Sequence, residues 1–137
     1  IIFSPMNKDI PDKQLKFIIN TLFDNKNDNY VVNKIITSID IFLRYTNNLE
    51  KEKDYDLICC SSMYLSNCLF DFKNYKDYSF YVKLLNTFTE EKLINNINKI
   101  LKKLNYIISN CDHDKIIFEL KDKDKKTLIT KLSNYFS

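Results

Sequence analysis

The apolar residues of this chain recur at helical spacing. Leu15, Ile18, Ile19, Leu22 and Phe23 fall at i, i+3, i+4, i+7 and i+8, one face of a 3.6-residue period. Ile10-Pro11 precedes them, and proline disfavours helix in the residue before it while suiting a helix start. A polar run over 24–28 leads to a second stripe: Val32, Ile35, Ile36, Ile39, Phe42 and Leu43. Asp28 or Asn29 is its candidate cap, and it is expected to end near Tyr45. Residues 46–54 (TNNLEKEKD) read as a solvated connection. Residues 55–70 differ, because Leu57, Ile58, Cys59, Cys60, Met63, Tyr64, Leu65, Cys68 and Leu69 cover nearly the whole circumference. A helix apolar all round is a buried, central one. Its polar residues are small (Ser61, Ser62, Ser66, Asn67), which lets neighbouring helices approach closely.

After a turn at 71–74, Tyr75, Tyr78, Tyr81, Val82 and Leu85 predict a tyrosine-rich fourth helix. A fifth follows within 87–106. Thr89 can cap it, and Glu90 and Glu91 set negative charge in its first turn, against the positive end of the dipole. Leu93, Ile94, Ile97, Ile100, Leu101 and Leu104 read as one apolar stripe. Residues 109–114 read as a loop. KIIFEL at 115–120 is ambiguous between strand and helical turn, and Leu128, Ile129, Leu132, Tyr135 and Phe136 predict a closing helix. The expected organisation is all-α: a lead-in at 1–11, a five-helix domain at 12–108 and an extension at 109–137.

Composition narrows the chemistry. At 137 residues one domain is expected, and a net charge of +3 is too small to imply nucleic acid or an anionic membrane. Lysines also alternate with acids, as over 121–126, in the manner of a solvated face. The chain has no Gly, Ala or Trp and is rich in Lys, Asn, Ile, Tyr and Phe, the codon bias of an AT-rich genome. Without Gly there is no ordinary Gly-rich phosphate loop, and Asn must often close helices at the left-handed position where Gly usually stands. Cys59, Cys60 and Cys68 lie in an apolar run and read as small core residues. With Cys111 they suggest no disulfide framework, so an intracellular compartment (nuclear, cytoplasmic or both) is expected. Cys111 and His113 have no second ligand pair at zinc spacing, so no metal is expected. No other cofactor or small-molecule substrate is implied. One His, and no paired carboxylates at a plausible site spacing, argue against an enzyme. No apolar run approaches the length of a membrane span. The first ten residues have neither a signal peptide's features nor an initiator Met, so the chain reads as a fragment.

The order of residues is similar to that of the cyclin box, a five-helix bundle around a buried third helix. Ile39-Asp40-Ile41-Phe42-Leu43 resembles the family's Leu-Asp-Arg-Phe-Leu. Residues 57–71, ending Ser66-Asn67-Cys68-Leu69-Phe70-Asp71, resemble its third helix. The run from Phe88 through the acidic turn to Leu104-Asn105-Tyr106 resembles its fifth. The comparison from 57 to 106 needs no gap. The resemblance implies a single-box cyclin, such as the phosphate-pathway kind: a non-catalytic subunit that binds a cyclin-dependent kinase and repositions its αC helix and activation loop. It implies partner contacts by Leu69, Asp71, Leu101 and Tyr106. The family's signature Lys and Glu are replaced by Cys68 and Ile97. Such losses remove contacts worth ~2 kcal/mol or more each where well buried. The Arg and Asp of the family's first-helix motif are absent too. The alternative is a helical-bundle adaptor, such as a viral apoptosis-blocking domain holding an amphipathic death-motif helix in an apolar groove. Its usual Gly-containing motif is missing. Taken as core positions, Leu69, Leu101 and Tyr106 need no partner, and that reading is favoured for Leu101.

Overall fold

The computed structural model describes residues 10–23, 30–47, 54–70 and 76–104, without the side chains of Asn47 and Leu104. These residues form five α-helices and no strand: α1 (Asp12–Phe23), α2 (Val31–Asn47), α3 (Tyr55–Phe70), α4 (Tyr78–Leu85) and α5 (Glu90–Leu104). Most of the lead-in, the extension from 109 onward with KIIFEL and the closing helix, the expected α2 caps Asp28 and Asn29, and Tyr75 lie outside the described residues.

The helix ends follow the local chemistry. The Pro11 carbonyl accepts the Leu15 amide at 3.0 Å, so the chain turns into α1 directly after the proline. Asp54 caps α3 through Oδ1, which accepts the Leu57 amide at 3.1 Å. Thr89 caps α5 as expected, its Oγ1 accepting the Lys92 amide at 3.2 Å. Asn86 closes α4 in the left-handed region at φ 53° and ψ 34°, its amide donating to the Val82 carbonyl. Asn is the residue that tolerates this conformation best after Gly, and it serves here in a chain without glycine.

α3 packs against all four other helices, its largest contact being with α2. The two run antiparallel: Ser66 Oγ donates to the Lys34 carbonyl at 2.7 Å near one end, and the Phe42 and Tyr55 rings meet at 5.8 Å near the other. Ile35, Ile39 and Phe42 of α2 and Ile58, Cys59 and Met63 of α3 are almost wholly buried. Leu15, Ile18 and Ile19 of α1 and Leu93, Ile97 and Ile100 of α5 complete the core.

Two features differ from the pattern. α2 is buried on every side from Lys34 to Leu43, including Lys34, Thr37, Ser38 and Asp40. Three of its side chains bond within the helix: Ser38 Oγ donates to the Lys34 carbonyl, Thr46 Oγ1 to the Phe42 carbonyl, and Arg44 Nε to Asp40 Oδ1 at 2.6 Å, while Asp40 Oδ2 is buried and accepts no hydrogen bond. And α5 does not bury one six-residue stripe. Leu93, Ile97 and Ile100 are buried, but Ile94 is half-buried and Leu101 is exposed. At 100° per residue, Ile94 and Leu101 fall on the edge of the buried arc and not at its centre.

Candidate functional site

Leu69 stands in the last turn of α3 and keeps 41% of its surface exposed. Leu101, in the last turn of α5, is 36% exposed, so the reading of Leu101 as core is corrected. Asp71 and Tyr106 lie outside the described residues. Of the positions where the cyclin resemblance would put a Lys and a Glu, Cys68 is half-buried and Ile97 is buried at 4% exposure.

The two leucines sit toward opposite ends of the bundle. Leu69 is beside Phe70, whose ring stacks on Tyr30 at 6.3 Å, just before α2 begins. Leu101 belongs to the part of α5 that meets the far end of α2. There Asn96 hydrogen-bonds the Tyr45 hydroxyl, and Lys103 Nζ lies 5.9 Å from the Tyr45 ring centre. Because α2 is antiparallel to α3, Tyr45 is level with the start of α3, about 20 Å along its axis from Leu69. A partner touching both must span the length of a four-turn helix.

Around Leu69 the structure assembles an apolar corner that sequence periodicity does not reveal. Tyr30 is 48% exposed and Phe70 is half-buried. Tyr30 lies outside the α2 stripe, and its stacking on Phe70 brings it to α3. Next to this corner, Asn67 Nδ2 donates to the buried Tyr81 hydroxyl at 2.6 Å. Tyr64 stacks on Tyr78 at 4.8 Å and hydrogen-bonds both Tyr78 and Cys68. These aromatic and polar contacts fix α4 against α3.

The titration behaviour of these groups has one direction. Burial raises the Cys68 thiol, with the Tyr64 hydrogen bond opposing. Burial likewise raises Tyr64, aided by its hydrogen bond to Tyr78, and Tyr81, opposed by Asn67. Cys60 is pushed up to about 12 by burial, then by the charges of Asp56 and Asp54, and Cys59 rises well above its ordinary value by burial first. An activated nucleophile near neutral pH needs a lowered pKa, and each of these is raised. Among the described residues no group of three or more His, Cys, Asp or Glu is placed to hold a metal ion. No described helix is long and apolar enough to cross a membrane.

Set against protein-family models, curated proteins and solved structures, the chain matches none.

Proposed function

We propose that this protein is a non-catalytic, cyclin-like regulatory subunit that docks on, and activates, a cyclin-dependent protein kinase. The observation that carries the reading is a central helix packed on four others whose last turn leaves Leu69 outward, in a chain whose residue order resembles the cyclin box. Leu69 anchors the partner at one end of the bundle and Leu101 engages it toward the other, with Asp71 and Tyr106 completing the contact set. A kinase αC helix has the length for such a span. With a thiol and a buried Ile where the family's Lys and Glu stand, the affinity rests on apolar contact, and the partner kinase carries matching apolar residues.

The test is direct binding of the purified chain to cyclin-dependent kinases, with kinase activity measured with and without it. Leu69→Glu is expected to abolish binding and activation while circular dichroism stays unchanged, because an exposed last-turn side chain contributes little to folding. Binding that survives Leu69→Glu overturns this face. Binding of an amphipathic death-motif peptide, with no kinase bound, moves the assignment to the adaptor class.

A further inference from the structure

We propose that α5 carries a second, outward seam through which two copies of this chain pair antiparallel. The inward seam is Leu93, Ile97 and Ile100, all buried. Roughly 70–150° round the helix from it lie Glu91, Ile94, Asn98 and Leu101, at spacings of three, four and three residues, the repeat of helices packed side by side. Glu91, Asn98 and Leu101 are exposed and Ile94 is half-buried. Charge along the same helix is biased: Glu90 and Glu91 open it with Lys92 beside them, and Lys99, Lys102 and Lys103 carry the other end.

That order selects the occupant. A second α5 laid parallel would set acid on acid and base on base. Laid antiparallel, it sets Ile94 against Leu101 of the other copy, Asn98 against Asn98 at the twofold axis, and Glu91 within reach of Lys102. The two helix dipoles then also oppose, which is favourable. The contact is isologous, so it closes at two copies. Two aliphatic side chains per copy put it at the small end of specific interfaces, below ~1,200 Å², so the dimer is weak and dissociates on dilution and in high salt. Leu101 serves both this seam and the proposed kinase contact, so the dimer and the kinase complex exclude each other at that residue.

Sedimentation of the purified chain alone, without kinase, tests the seam separately from the kinase reading. The chain is expected to pass from monomer to dimer with rising concentration, and Leu101→Glu to remove that passage with helicity retained. Glu91→Lys and Lys102→Glu should each lose self-association about tenfold, ~1.4 kcal/mol shared by the two Glu91–Lys102 contacts that the twofold axis relates. Mixed in equal amounts, the two variants should recover it as a heterodimer, since each then meets opposite charge at both ends. Mere damage to α5 cannot produce recovery on mixing. A monomer at every concentration, or no gain on mixing, overturns the proposal.

Discussion

Cys60 shows most plainly how a residue in this core behaves. Its surface is wholly buried, and its thiol is held near 12 in place of an ordinary 9.0. The raised value means that the folded state favours the protonated thiol, while the unfolded chain releases the proton at lower pH. The stabilisation is therefore complete below pH 9.0 and is lost as pH rises toward 12. Cys59, Tyr64 and Tyr81 are raised in the same sense, so their losses add. Denaturant unfolding is expected to give stability that does not depend on these groups at neutral pH and falls steeply in alkali. Cys60→Ala should shallow that fall, because one of the groups that must stay protonated is gone. Buried cysteine as core was legible from the apolar run around it. Which tyrosine would bury its hydroxyl was not, since Tyr78 and Tyr81 both fall in the apolar pattern of α4 and the fold sets Tyr81 against Asn67.

At the scale of the element, α2 and α3 meet through small polar residues. Ser61 and Ser62 donate back to the Leu57 and Ile58 carbonyls of their own helix, which are already used in the helical ladder. Ser66 instead crosses to the Lys34 carbonyl. Ser66→Ala is expected to cost about 1 kcal/mol, as for a lost interhelical hydrogen bond, and Ser62→Ala less. Ser66→Leu should cost ~1–3 kcal/mol, because added volume at this close approach forces the helices apart. Urea unfolding of the three variants orders them. α5 carries the complementary lesson. Its start and cap followed from Thr89 and the acidic turn, but Leu93, Ile97 and Ile100 enter the core while Ile94 is half-buried and Leu101 exposed, because a stripe that wide exceeds what α3, α4 and α2 cover.

At the scale of the molecule, α3 touches every other helix, while α4 has eight residues and buries only Tyr81 fully. Stability is therefore uneven. Native-state hydrogen exchange is expected to find the slowest amides in α3 and the buried stretch of α2, near the global unfolding limit. The fastest helical amides should be in α4, which can detach by losing the Tyr64–Tyr78 stacking and the Asn67–Tyr81 bond without opening the α2–α3 core.

Sequence alone determined the five helices, the start of α1 at Pro11, the Thr89 cap and the central place of α3. Each is a property of a single segment: a period, a capping side chain, an all-round apolar surface. The tertiary structure alone decided that α2 is also buried all round, since polar residues that bond within their own helix look exposed in a pattern yet can enter a core. It alone joined Tyr30 to Phe70 and set Leu69 and Leu101 toward opposite ends. Those relations depend on the antiparallel register of helices distant in the chain, and no local periodicity encodes that register.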